Sequence, residues 1–138
     1  MPTAREFNIQ LEDRPGTLAK LCRALGDRKV NILAFQASPS ERRSQLRLVV
    51  DNPATSKFAL DAEGLAYTET EVAQVTLPNR PGELGRAASR LAEANININY
   101  AYSGIEIGTN APLVFFGVTE VGRAAKILDQ VAAAAAGT

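Results

Sequence analysis

Hydrophobic and polar residues alternate in two short segments of the chain, and each segment is followed by hydrophobic residues at helical spacing. Residues 7–12, FNIQLE, and residues 73–77, AQVTL, alternate apolar and polar side chains, which predicts two half-buried strands. After each strand, hydrophobic residues stand at i, i+3, i+4 and i+7, the pattern of an amphipathic helix. The helical positions are Leu18, Leu21, Cys22 and Leu25 in the first segment and Leu84, Ala87, Ala88 and Leu91 in the second.

The same order of elements continues after both helices. The pattern predicts second strands at residues 30–37 and 96–102, third strands at 44–51 and 111–118, and second helices at 53–64 and 120–136. No Gly, Pro or Asn interrupts the segment from about Ala66 to Leu77, so we expect one extended strand there rather than a hairpin. No residues remain for a fourth strand after the last helix. We expect that sheet edge to be covered by the first half, covered by another chain, or left open.

The two halves form a sequence repeat. With a shift of 66 positions, residues 13–36 align with residues 79–102 without a gap, and 7 of the 24 positions are identical. Chance would give about two identities. The identical pairs are Arg14/Arg80, Pro15/Pro81, Gly16/Gly82, Leu18/Leu84, Leu25/Leu91, Asn31/Asn97 and Ile32/Ile98. The repeat predicts two equivalent units, residues 1–71 and 72–138. Stability alone also explains a duplication, because single units of this size bury a small share of their surface.

Composition is that of an ordinary globular chain: the 138 residues are 46% hydrophobic and 22% charged. The 15 basic and 15 acidic residues give a formal net charge of zero, which argues against nucleic acid and anionic membranes as partners. No apolar stretch has the length of a membrane span, and the first residues lack the apolar core of a signal peptide. We therefore expect a cytoplasmic protein.

The residue types present argue against catalysis and metal binding. The chain has no histidine and one cysteine, Cys22, which excludes Ser-His and Cys-His pairs, imidazole metal sites and intrachain disulfides. We expect no catalytic residue, no metal and no cofactor, and we expect Cys22 to be a small buried hydrophobic residue. A small enzyme that uses Asp13 or a tyrosine as an acid or base is a less favoured alternative.

The repeated segments resemble the ACT domains, small βαββαβ regulatory modules with a ferredoxin-like fold that bind amino acids. The resemblance rests on the alternating first strand, on the DRPG and NRPG turns at residues 13–16 and 79–82, on the helical stripe, and on the VNI and INI segments around Asn31 and Asn97. It covers nearly the whole chain, twice. It implies an α+β fold of two ferredoxin-like units, whose antiparallel sheets carry their helices on one face. It also implies ligands at the interface between paired modules, beside the first strand-to-helix turn.

The chemistry of the two turns suits a ligand that has both a carboxylate and an ammonium group. Proline suits the start of a helix, and glycine lacks a Cβ and lets another group approach the backbone. The first N–H groups of each helix lie at the positive end of the helix dipole, which favours a carboxylate. Asn31 and Asn97 follow the turns by about a helix length, and we expect their oxygens to return beside the turn as acceptors for an ammonium. The predicted ligand-binding residues are Asp13, Pro15, Gly16, Thr17, Leu18, Asn31, Ile32, Asn79, Pro81, Gly82, Glu83, Leu84, Asn97 and Ile98.

The same residues also have structural interpretations. An Asx residue before a Pro-Gly turn commonly caps the helix, and the asparagine pair would also satisfy backbone groups where a strand begins. Arg14 and Arg80 are expected as solvated turn residues rather than carboxylate clamps. Aromatic residues of the second strands are expected in the core, with a side-chain pocket as their alternative role. These aromatic residues are Phe35, Tyr100 and Tyr102.

Together these observations predict a stand-alone protein with two ACT units that acts as a sensor or regulatory subunit of amino-acid metabolism. A small amino acid is the expected ligand, at the interface between the units or in a homodimer, and a regulated enzyme is the expected partner. A structural or dimerisation module without a ligand is the alternative. The carboxylate of Asp13 precedes the first helix and would partly satisfy the anion site at its N-terminus, whereas the uncharged Asn79 leaves the second site free. If one turn alone binds the ligand's carboxylate, we therefore favour NRPG.

Overall fold

The structure is a computed structural model that describes residues 3–106 and 108–136. Every predicted strand and helix is present. The elements in chain order are β1 Thr3–Glu12, α1 Thr17–Asp27, β2 Ile32–Ser40, β3 Arg43–Val50, α2 Pro53–Ala62, β4 Tyr67–Thr76, α3 Glu83–Glu93, β5 Ile98–Ile105, β6 Pro112–Val118 and α4 Val121–Ala136.

The first compact unit comprises residues Arg5–Thr70. In its sheet, β3 pairs antiparallel with β1 on one side and with β2 on the other. The first residues of β4 lie beside β1, where the rings of Phe7 and Tyr67 are 5.6 Å apart and the Gln10 N–H donates to the Ala66 carbonyl at 3.2 Å. The unit thus contains all the elements of a βαββαβ module.

The core of the first unit lies between its sheet and helices α1 and α2. Its buried residues are Phe7, Ile9, Leu11, Leu21, Leu25, Val30, Leu46, Leu48, Val50, Ala59 and Leu60. The inward face of α1 is narrower than the sequence predicts, because Leu18 is 37% exposed and Cys22 is only partly buried. Partial burial raises the pKa of the Cys22 thiol, since the thiolate is less well solvated there.

The second compact unit comprises residues 71–138 together with the start of β1 at Thr3 and Ala4, within the residues described. Strand β6 pairs antiparallel with β4 and with β5. Helices α3 and α4 contribute to a second core, made of Ala73, Val75, Leu77, Ala87, Leu91, Ile96, Val114, Phe116, Val118, Ala124, Leu128 and Val131. No strand follows α4 in the described part of the chain, as expected from the sequence.

Strand β4 is continuous from Tyr67 to Thr76, which confirms the predicted extended segment. The division between the units falls inside this strand, between Thr70 and Glu71. Because both β1 and β4 contribute residues to both units, the six strands do not divide into two separate sheets, and the expectation of two sheets is wrong in this respect. The α+β class and the ferredoxin-like order of each unit agree with the prediction.

Candidate functional site

Both Arg-Pro-Gly segments form the same tight turn between a strand and a helix. Gly16 has φ 92° and ψ −13°, and Gly82 has φ 88° and ψ −11°. These angles belong to the third residue of a type II turn, where glycine is favoured because φ is positive. In the second turn the Glu83 N–H also donates to the Arg80 carbonyl at 3.4 Å, the hydrogen bond that often closes such a turn. The repeat therefore extends to the backbone conformation.

Each glycine is the N-cap residue of its helix, and neither helix has a side-chain cap. The left-handed glycine delays the helix start to the following residue, so both prolines lie in the turn and precede the helix. Asp13 and Asn79 lie three residues before the N-cap, out of the capping position, and the capping interpretation for them is wrong. The first hydrogen bond of α1 runs from the Lys20 N–H to the Gly16 carbonyl. The N–H groups of Thr17 and Leu18 have no acceptor among the described residues.

A cavity of about 160 Å³ opens at the turn of the first unit. Its lining residues come from the end of β1, the turn, the first two turns of α1 and the segment after α2. They are Leu11, Glu12, Arg14, Thr17, Lys20, Leu21, Glu63 and Leu65. The cavity thus combines two carboxylates, two cations and three leucine side chains.

Hydrogen bonds at the first turn join the strand to the helix. The Thr17 hydroxyl donates to the carbonyls of Glu12 and Arg14, at 2.9 and 3.2 Å. Arg14 donates to the Glu12 carboxylate, and this hydrogen bond holds the pKa of Glu12 below its usual value. Lys20 Nζ lies 4.0 Å from Glu63 Oε2. Because Arg14, Glu12 and Lys20 are exposed, these ion pairs exchange for other partners at small cost.

The second turn carries a different arrangement of charges. Glu83 occupies the position equivalent to Thr17, and its carboxylate lies between two arginines. Arg80 donates to Oε2 from Nε and Nη2, at 3.2 and 3.0 Å, and Arg86 donates to Oε1 from the same two nitrogens, at 3.3 and 2.9 Å. The hydrogen bonds from Arg86 in particular hold the pKa of Glu83 below its usual value. Arg80 is half exposed, as expected for a solvated turn residue, and its guanidinium also pairs with the carboxylate of Glu83.

Asn31 lies at the other end of the first unit from its turn. Glu12, at the end of β1, pairs with Arg43, whereas Ile32, next to Asn31, pairs with Val50. The seven residue steps between Arg43 and Val50 correspond to about 23 Å at about 3.3 Å per residue. The expectation that Asn31 returns beside its own turn is therefore wrong, because α1 runs the full length of the sheet before β2 begins.

Asn97 is separated from the second turn in the same way. Thr76 pairs with Leu113 at one end of β6, and Ile98 pairs with Val118 at the other. The Asn97 side chain instead donates to Asn99 Oδ1 at 3.0 Å.

Asn31 makes backbone contacts where its strand begins. Its N–H donates to Asp51 Oδ1 at 2.9 Å, and its carbonyl accepts from the Asp51 N–H at 3.1 Å. The side chain that satisfies a backbone group here is that of Asp51, so the structural interpretation of the asparagine side chains is not confirmed. Ile32 and Ile98 pack against the cores of their units.

The other predicted ligand-binding residues lie at the turns, where the structure brings them together in two groups. They are mostly exposed, and Leu84 is more exposed than Leu18. Thr17 alone of the predicted set lines the cavity. Lys20 and Glu63 also line the cavity but were not among the predicted residues. The alignment of Lys20 with Arg86 in the repeat could have indicated Lys20, whereas no local pattern connects Glu63 to the turn.

The aromatic residues of β2 and β5 do not join the two cores: Tyr100 and Tyr102 are partly buried and lie outside both core clusters. The rings of Tyr100 and Tyr102 are stacked with centroids 6.4 Å apart, and Tyr102 stacks on the buried Phe115 at 5.5 Å. Phe35 is 59% exposed, because the buried position that corresponds to Tyr100 is filled by Ala34.

Neither a metal site nor a membrane helix is evident in residues 3–106 and 108–136. No group of three or more Cys, Asp or Glu side chains there is arranged to hold a metal ion. No helix in the described ranges has the length and apolar character needed to cross a membrane.

Comparison with known protein families identifies the repeated unit. The model of the ACT domain matches the chain twice, over residues 5–58 and 72–135. The chain belongs to the ACT-domain family. Its two ACT units correspond to the two halves of the sequence repeat. No curated protein matches the chain significantly.

Solved structures share the fold of both ACT units over nearly the whole chain. Protein BT0572 from Bacteroides thetaiotaomicron is 24% identical, covers 93% of this chain with 88% of its own, and has a TM-score of 0.82. The ligand-free regulatory subunit of aspartate kinase from Thermus thermophilus is 19% identical, with coverages of 94% and 92% and a TM-score of 0.64. The regulatory subunit of aspartate kinase from Thermus flavus is 18% identical, with coverages of 95% and 93% and a TM-score of 0.62. At these identities the similarity establishes the fold.

Proposed function

We infer that this protein is a non-catalytic sensor or regulatory subunit of amino-acid metabolism, and that it binds a small amino acid at the turn of its first ACT unit. The observation that carries this proposal is the cavity of about 160 Å³ at the DRPG turn. It has room for about five water molecules at about 30 Å³ each, which suits a small amino acid better than a nucleotide or a peptide.

The groups around the cavity match both charged ends of an amino acid. The N–H group of Thr17 and the cations Arg14 and Lys20 suit the carboxylate, since a helix N-terminus and basic side chains favour an anion. The carboxylates of Glu12 and Glu63 accept hydrogen bonds from the ammonium. The leucine side chains offer apolar contact to a short side chain.

Regulation would follow from linkage between ligand binding and a partner. A ligand that binds one conformation of the protein more tightly shifts the population toward that conformation. A partner enzyme that binds the two conformations with different affinity then responds to the ligand. Two of the structural relatives are regulatory subunits of aspartate kinase, which supports a regulatory role of this class. A homodimer is part of the proposal. The mass of the native particle tests it.

The binding proposal is tested by thermal unfolding with each of the twenty amino acids. A ligand present at 100 times its dissociation constant stabilises the folded state by about 2.7 kcal/mol. We expect at least one small amino acid to raise the melting temperature in a concentration-dependent manner. If none does, the protein is a module without an amino-acid ligand, and the dimerisation alternative takes its place.

The position of the ligand is tested by Glu63→Gln. Loss of a charge-assisted hydrogen bond to the ammonium costs about 1.5–3 kcal/mol, which weakens binding tenfold or more. The control is Glu93→Gln, because Glu93 is an exposed residue at the end of α3 and does not line the cavity. Equal affinities of the two variants would place the ligand elsewhere.

A further inference from the structure

The carboxylate of Glu83 accepts hydrogen bonds from two arginines, as the carboxylate of a bound ligand would. Each of its oxygens accepts two N–H groups from one guanidinium, and the Glu83 side chain is 14% exposed. Neither arginine spans both oxygens as in the two-oxygen fork; each guanidinium binds one oxygen, so the carboxylate lies between two cations and all of these hydrogen bonds are charge-assisted. Here the recognised group belongs to the protein itself.

Arg86 is also held from a second side. Its Nη2 lies 3.4 Å from the carbonyl of Val131 on α4. Val131 follows the buried Leu128 by three residues, as Glu63 follows the buried Leu60 by three residues in α2. The equivalent cation of the first unit, Lys20, therefore approaches an acidic side chain at the position where Arg86 approaches a helix carbonyl.

The first turn has no counterpart of this clamp. Thr17 occupies the position equivalent to Glu83, and its hydroxyl donates to the carbonyls of Glu12 and Arg14. Arg14 turns to Glu12, and Lys20 turns toward Glu63, so the two cations are not gathered on one carboxylate at the start of α1.

We propose that Glu83 is a built-in substitute for a ligand carboxylate, which keeps the second turn permanently filled, so that one chain binds one amino acid, at its first turn. This inference rests on the proposed function for the ligand at the first turn. The part that concerns Glu83 stands on the side-chain cluster alone. It replaces the expectation that NRPG is the favoured turn. Glu83 caps no N–H group of α3, but its carboxylate pairs with both arginines beside the second turn, which correspond to Arg14 and Lys20 of the first.

Chemical rescue with acetate tests the role of Glu83 without any amino-acid ligand. In Glu83→Ala the two guanidinium groups lose their carboxylate, and sodium acetate is expected to restore it. We expect acetate, compared with sodium chloride at equal ionic strength, to raise the melting temperature of Glu83→Ala by about 3 °C more than that of the unaltered protein. The matched control is Glu83→Gln, whose amide retains the side-chain volume and should leave no room for acetate. An equal response of Glu83→Ala and the unaltered protein would overturn the proposal.

Should the alanine variant be too unstable to measure, Glu83→Thr provides the same comparison, because it places the first-turn residue in the second turn. Thr17→Ala, the matched variant of the first turn, should respond to acetate like the unaltered protein.

Calorimetric titration with each of the twenty amino acids tests the number of sites. Any amino acid that binds should bind once per chain. Two equivalents per chain would overturn the inference and leave the proposed function intact. Rescue of Glu83→Ala by acetate without binding of any amino acid would remove the proposed function and leave the role of Glu83 intact.

Discussion

The turn of the first ACT unit and the turn of the second share one backbone conformation and differ in the charges beside it. Gly16 and Gly82 agree within a few degrees in both dihedral angles. The first turn adjoins a cavity, whereas at the second the Glu83 carboxylate is clamped by Arg80 and Arg86. A duplicated motif therefore preserves the chain path without preserving the chemistry of the site.

Two residue differences account for most of this contrast. Thr17 is replaced by Glu83, which brings a carboxylate to the start of the second helix, where the helix dipole favours it. Glu63 is replaced in the aligned helices by Val131, which leaves Arg86 a backbone carbonyl as its partner on α4. As a result, the charged side chains at the second turn bind to groups of the protein itself.

The largest effect is expected from a cross-strand pair that differs between the units. Ala34 pairs with Val49 in the first unit, whereas Tyr100 pairs with Gly117 in the second. A Cβ on Gly117 would lie 2.2 Å from Cζ of Tyr100. Gly117→Val should therefore lower the free energy of unfolding by up to about 3 kcal/mol in urea denaturation, because the tyrosine ring must move.

The double variant Tyr100→Ala/Gly117→Val sharpens this comparison, because it recreates the pair of the first unit. It should be more stable than the sum of the two single changes predicts, by about 1 kcal/mol or more. Additive effects would show that the ring and the glycine are not coupled.

A smaller effect, equal in both units, is expected at the two turn glycines. Gly16→Ala and Gly82→Ala should each reduce the free energy of unfolding by about 1–2 kcal/mol, because an L residue is strained at positive φ. The space around each glycine is open, so no steric clash adds to this strain. Gly85→Ala is the control, because Gly85 lies within α3 and alanine favours a helix. A large difference between the two turn variants would contradict the backbone equivalence.

The smallest effect is the pH dependence of the Glu83 clamp. A pKa that is lower in the folded than in the unfolded state gives stability at pH values above the ordinary value of 4.5, and this stability is lost as the pH falls through the folded pKa. The unaltered protein should therefore lose more stability between pH 7 and pH 3 than Glu83→Gln does. Glu12→Gln is the matched variant of the first turn and should show a weaker difference, because the Glu12–Arg14 pair is more exposed. Identical pH profiles of Glu83→Gln and the unaltered protein would contradict the clamp.

The order and type of the elements, the repeat and the family were predictable from the sequence. The spacing of hydrophobic residues and the turn residues are local signals, and each of them occurs in both halves of the repeat. The alternation at residues 7–12 and the uninterrupted segment before Leu77 correctly predicted β1 and β4. The candidate site was only partly predictable. The turn residues follow from the glycine and proline, but Glu63 reaches the cavity through the packing of α2 against α1, which no local pattern encodes.

The sequence by itself determined that two helix starts with left-handed glycines would occur, because the Arg-Pro-Gly segments specify their own backbone. Only the tertiary structure decided what lies next to each start. Asn31 was expected beside its turn, yet antiparallel pairing through β3 places it at the far end of the sheet. The Lys20–Glu63 pair likewise depends on the packing of α1 against the residue that follows α2, whereas the Arg80–Glu83 pair spans only three residues and needs no tertiary contact. Residues close in sequence thus set the turn conformation and the arginine pairs of Glu83, and the packing of elements decides that Glu63 lies beside the first turn and Asn31 does not.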